Sequence, residues 1–219
     1  MRKLLLFTFL MICSFCNAQK KGDQKTDSLI NDLLILPPIS SVNYIYTGNH
    51  LKTDTEESEK ATTVLEGFLK DLLPDSIRFE YLKSDSSGQT KMDSSILYML
   101  SKVTKGYKDW KTKIPQCILD SMDAHNKNYA IGFFFKSFQR TEENMVNQVI
   151  KDQSLSFVVS LGSIIITPIE FGSGMVCYII DSKNKKLIYF RKSVLNSRTP
   201  SDKYTIKAHL YNLLSHYFK

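Results

Sequence analysis

The chain has 219 residues, with 29 Lys+Arg against 22 Asp+Glu and a formal net charge of +7. Its 42% hydrophobic and 23% charged residues are those of a globular protein, and nine Gly and six Pro exclude a collagen-like or low-complexity chain. The apolar runs are too few for a multi-span membrane protein, while 13 Phe and 11 Tyr suffice to fill a core.

The amino terminus reads as a secretory signal peptide. Arg2 and Lys3 precede an apolar stretch from Leu4 to Phe15, broken only by Thr8 and Ser14. Cys16 and Ala18 are the small residues of a cleavage site before Gln19, and polar QKKGDQK follows at once. An uncleaved anchor is disfavoured by the short apolar length. Lipidation at Cys13 or Cys16 is disfavoured because Ile12 and Phe15 stand where a small residue belongs. Removing the first 18 of 219 residues leaves 201, with Cys117 and Cys177 as the remaining cysteines. Export permits a disulfide between them, worth about 4 kcal/mol by chain entropy. Cys117 nonetheless shares an apolar helical face with Ile114, Ile118 and Met122, and Cys177 lies in a strand pattern. Two separate core thiols are the favoured expectation.

After a polar lead, Leu33 to Leu36 reads as a buried strand ended by Pro37 and Pro38. Tyr44 to Tyr46 adds an extended piece. Asp54 and Glu57 have capping-box spacing and open a helix with Ala61, Val64, Leu65, Phe68 and Leu72 on one face, closed by Pro74. Ile77 to Leu82 alternates as a strand, and Asp85 to Gly88 reads as a turn. A helix starting near Asp93 places Ile96, Met99, Leu100 and Val103 inward, with Gly106 as its cap. Pro115 opens a short helix reaching Asn126.

Tyr129 to Phe138 is apolar on both alternations, which predicts a central strand covered on both faces. Met145, Val146, Val149 and Ile150 suggest a short helix, and Leu155 to Phe171 one or two strands. Gly172-Ser173-Gly174 reads as a turn into a strand from Met175 to Ile180. A polar hairpin loop, Asp181 to Lys186, returns the chain through Leu187 to Arg191. Thr199 as amino cap, Pro200 at the first position and Asp202 at the third mark the start of a last helix burying Ile206, Leu210, Leu213 and Tyr217. This order predicts an α/β fold: a mixed β-sheet with helices packed on it, a late β-hairpin and a C-terminal helix, forming one domain over residues 30–219.

Signatures of known chemistry are missing from the sequence. It holds no G-x-S-x-G, P-loop, G-x-G-x-x-G or H-E-x-x-H. His209 and His216 share a face of the last helix, where packing explains them better than a metal would. The acidic run Asp54 to Glu59 lacks the turn glycine of a calcium loop and suits a helix amino terminus. No cofactor is expected.

Charge is distributed unevenly. Residues 19–171 carry a net −2, and the last 48 residues carry +7. Basic and aromatic residues cluster at Lys105, Lys108, Trp110 and Lys111, and basic ones again at Lys183, Lys185, Lys186 and Arg191. These eight residues are the candidate contact surface. Nucleic acid is an unsuitable partner for an exported chain, so an envelope protein or an anionic envelope surface is expected.

Three pieces of the chain resemble bacterial envelope proteins with a TolB amino-terminal-like or curli-assembly-lipoprotein-like domain. LLILPP resembles their opening strand, and Asn128-Tyr129-Ala130-Ile131 sits at their hydrophobic strand. MVCYIIDSKNKKLIYF (Met175 to Phe190) resembles their hairpin, with a terminal helix after it. The resemblance implies a mixed α/β domain used for docking in the periplasm or at the outer membrane, with no catalytic residues. The expected function is therefore that of an exported, non-catalytic envelope interaction module, not integral to the membrane. The alternatives are an exported enzyme using Asp181 or Glu170, and a protein binding a small apolar ligand under residues 155–171.

Overall fold

The computed structural model describes residues 30–73, 75–83, 86–104, 112–150, 168–196, 199, 202–215 and 217–218. Among these residues, seven strands make one mixed sheet. β1 (Asp32–Ile35) and β2 (Ile39–Tyr46) lie end to end, separated by Pro37 and Pro38. Proline has no amide hydrogen to give the ladder, so the pair breaks it there. β3 (His50–Asp54) is antiparallel to β2, and β4 (Arg78–Tyr81) is parallel to β1. The central strand β5 (Tyr129–Arg140) runs parallel to both β1 and β2. Its other edge takes β6 (Phe171–Asp181), which continues antiparallel into β7 (Lys186–Leu195).

Among the described residues, five α-helices accompany the sheet: α1 (Thr55–Leu72), α2 (Ser86–Thr104), α3 (Gln116–Ala124), α4 (142–150) and α5 (Lys203–Leu214). Leu33, Ile35, Ile131, Phe133 and Cys177 project to one face of the sheet, against α1 and α5. Leu34, Leu36, Ala130, Tyr178 and Ile180 project to the other, against α2 and α3. The fold is thus α/β, with helices on both sides of a mixed sheet, as the element order predicts. Cover on both faces is why β5 reads as a nearly continuous apolar run. Helix α1 is fixed at its start by Asp54, whose Oδ1 accepts from the Glu57 amide at 3.0 Å. Ser58 in its first turn then accepts from the Val42 amide at 2.9 Å, tying the helix to β2.

Several expectations are corrected. Gly172-Ser173-Gly174 is not a turn but lies inside β6. A Cβ on Gly172 would sit 2.5 Å from the Phe138 ring, so glycine is needed there for close packing across the strands. Residues 86–88, read as a turn, belong to the first turn of α2, which starts well before Asp93. Short polar residues favour helix starts as readily as turns, which accounts for the error. The amino cap of α5 is Asp202 and not Thr199: its carboxylate accepts from the Tyr204 and Thr205 amides. Strand β3 carried no signal because its residues are nearly all exposed. Residues 151–167, Gly106 and the amino-terminal 29 residues lie outside the described ones.

Candidate functional site

Two of the concavities formed by the described residues flank the sheet. The first follows from strand register. Lys136 on β5 is opposite Gly174 on β6, which is opposite Val194 on β7. In the neighbouring row, Phe134 is opposite Val176, which is opposite Lys192. All six alternate with the residues facing α1 and α5, so they face the α2 side. Beside Leu97 and Leu100 of α2, this face retains a groove of about 340 Å³. Gly174 leaves its floor open, since a Cβ there would have only the Ser193 carbonyl oxygen nearby, at 3.8 Å. The walls are Phe134, Val176, Val194 and Leu97, and Val194 is 66% exposed. Lys136 and Lys192 are exposed at its margin. Among the described residues neither forms an ion pair, and Lys192 lies 5.8 Å from the Phe190 ring centroid.

The second concavity, of about 550 Å³, opens where Pro37 and Pro38 interrupt the strand line. It is polar, with Ser40, Ser58, Thr62 and Glu66 on one side and Gln89 and Asp93 on the other. Burial raises the Asp93 pKa, and a 2.7 Å hydrogen bond from Gln89 Nε2 opposes that rise. Among the described residues, no group of three His, Cys, Asp or Glu is placed to hold a metal.

Buried polar groups elsewhere serve the fold. His209 is fully buried between Ser173 and Ser193, 2.9 Å and 2.8 Å from their hydroxyl oxygens. Asp181, proposed for the enzyme alternative, spends both carboxylate oxygens on Asn184 in the hairpin turn. Burial pushes the Cys177 thiol well above its ordinary range, which leaves it a poor nucleophile.

No family model matches the chain. No curated protein matches it either. Among solved structures it is similar to the C-terminal domain of LpoB from Salmonella enterica, at 9% identity and a TM-score of 0.33, covering 80% of this chain and 89% of that one. It is likewise similar to lipoprotein GNA1162 of Neisseria meningitidis (6% identity, TM-score 0.35, 86% and 99% covered). A third is the hypothetical protein CT253 of Chlamydia trachomatis (9% identity, TM-score 0.35, 86% and 93% covered).

The candidate contact residues are spread apart. Lys183, Lys185 and Lys186 are exposed around the hairpin turn. Arg191 pairs with Cys177 and belongs to the opposite face of β7 from Lys192. Lys105, Lys108, Trp110 and Lys111 lie outside the described residues. Cys117 and Cys177 are free thiols in packing clusters on opposite sides of the sheet. Among the described residues no helix is long and apolar enough to cross a membrane. The groove residues Lys136, Lys192 and Gly174 escaped sequence reasoning. One signal was present: Lys136 is the only charge in YAIGFFFKSF, a strand otherwise fit for burial.

Proposed function

We propose that the protein is an exported, non-catalytic binding module of the bacterial envelope that engages anionic lipid through the groove beside α2. The observation that carries this reading is the pairing of an apolar trough with two lysines that have no carboxylate partner among the described residues. Such lysines retain their charge for a ligand, and the trough offers apolar cover for what the charge holds. The amino-terminal export pattern supports the envelope setting. A second reading, an enzyme working in the polar cleft, draws on the raised pKa of Asp93.

Sedimentation with vesicles tests the first reading. The purified protein pellets with phosphatidylglycerol vesicles at low salt and not with phosphatidylcholine vesicles. Lys136→Glu with Lys192→Glu weakens that binding at least tenfold, since each basic residue near such a surface contributes about 1 kcal/mol and reversal adds repulsion. Absence of pelleting at low salt overturns the reading. Undiminished binding by the double variant removes the groove from it.

A further inference from the structure

Resting on that reading of the groove, we infer that its specific occupant is a single acyl chain bearing a carboxylate: one long-chain fatty-acid anion. The cavity of about 340 Å³ is at the small end of ligand sites, suited to one chain and not to a whole bilayer patch. Its floor is the interior of a sheet. β5 and β6 are each hydrogen-bonded to a strand on both sides, so the floor has no free backbone edge to which an extended peptide could add. The walls are apolar, and the cations at the margin are Lys136 on β5 and Lys192 on β7.

These two lysines stand two strands and two residues apart, with the open floor at Gly174 between them. That separation is about 12 Å between backbones, within the combined reach of two lysine side chains. A carboxylate above Gly174 meets both ammonium groups, and the chain then runs between Val176 and Leu97. An uncharged chain leaves the lysines unanswered, and a short anion leaves the walls wet.

Calorimetry with sodium octanoate, decanoate and dodecanoate below their micelle concentrations, and with dodecanol, tests this. The expected result is one-to-one binding that tightens more than tenfold from octanoate to dodecanoate, with dodecanol weaker than dodecanoate. Gly174→Val fits the strand, since a Cβ meets only the Ser193 carbonyl at ordinary contact distance, and its branches fill the floor. It lowers dodecanoate affinity at least tenfold with an unchanged melting temperature. Should that variant fail to fold, Val194→Asp, at a position 66% exposed, gives the same loss by placing a like charge in the groove. No saturable dodecanoate binding, with lysine-dependent vesicle binding intact, overturns this inference and leaves the surface reading standing. Loss of both overturns both. Wild-type affinity in Gly174→Val or Val194→Asp overturns the placement.

Discussion

Gly132→Ala lowers stability by about 3 kcal/mol, which at this chain length is a melting temperature lower by about 10 °C. Gly132 lies in β5 directly opposite Tyr178 in β6, and the Tyr178 ring crosses over it. A Cβ at Gly132 would be 2.2 Å from the ring Cζ and Oη. Tyr178 is only 1% exposed and is packed among Leu34, Ile96 and Ile180, so the ring cannot swing aside without displacing the core. The analogous contact at Gly172 differs in one respect. Its partner Phe138 is only half-buried and can move, so Gly172→Ala costs less. Gly67 supplies the opposite sign, because it is exposed within α1 and nothing lies within 4 Å of a built Cβ. Gly67→Ala stabilises by roughly 1 kcal/mol through helix propensity. Thermal or urea unfolding of the three variants checks the order. Equal melting temperatures for Gly132→Ala and the parent would contradict the packing of Tyr178.

The second large effect is a loss of stability with acid that His209 controls. Burial lowers its pKa from the ordinary 6.5 to about 4 in the fold. The residues around it are Ser173 on β6, Ser193 on β7 and Phe135 on β5, none of which carries a charge to offset protonation. The folded state therefore favours the neutral ring. Its contribution is complete above pH 6.5 and is lost as pH falls from 6.5 toward 4, by about 3 kcal/mol in all. His209→Gln retains a hydrogen-bonding amide and titrates nowhere in this range. Urea unfolding at a series of pH values follows the two proteins. The stability advantage of the parent over the variant shrinks steadily between pH 6.5 and 4. Parallel profiles would show that the ring is already protonated in the fold or accessible to water.

Much of this architecture was legible in the sequence, and what was hidden has a common physical cause. The apolar run through Phe133 and Phe135 announced a strand covered twice, and Asp54 with Glu57 announced a helix start, because both signals are local. Asp181 to Lys186 likewise carried its own turn chemistry, completed by the Asp181–Asn184 hydrogen bonds. Glycine is ambiguous by comparison. At Gly172 the missing side chain makes room for Phe138 on another strand, and no neighbour in sequence distinguishes that from a turn. His209 read as a packing residue on the last helix, but its serine partners come from two different strands.

The groove is the extreme case of this non-local character. Lys136, Gly174 and Lys192 meet only through the register of three strands, whereas the clustering of basic residues in the sequence points to Lys105, Lys108 and Lys111 and to the hairpin tip. Lys183 and Lys185 are exposed there, about 20 Å along β6 from Gly174 at the rise of a strand. Of the nine basic residues among the last 48, Lys183, Lys185 and Lys186 stand around the hairpin turn and Lys192 alone at the margin of the groove, whose other cation, Lys136, lies outside that stretch. Of these two places, only the groove combines cations with an apolar trough.

A fluorescent reporter in the trough tests the central claim most directly. Val194→Trp, made in a Trp110→Phe background, places one indole at a wall of the groove without burying new bulk in the core. Addition of phosphatidylglycerol vesicles shifts its emission to shorter wavelength as the indole leaves water, and Lys136→Glu with Lys192→Glu abolishes the shift. Unchanged emission while the protein sediments with the vesicles would place the binding surface elsewhere and contradict the account.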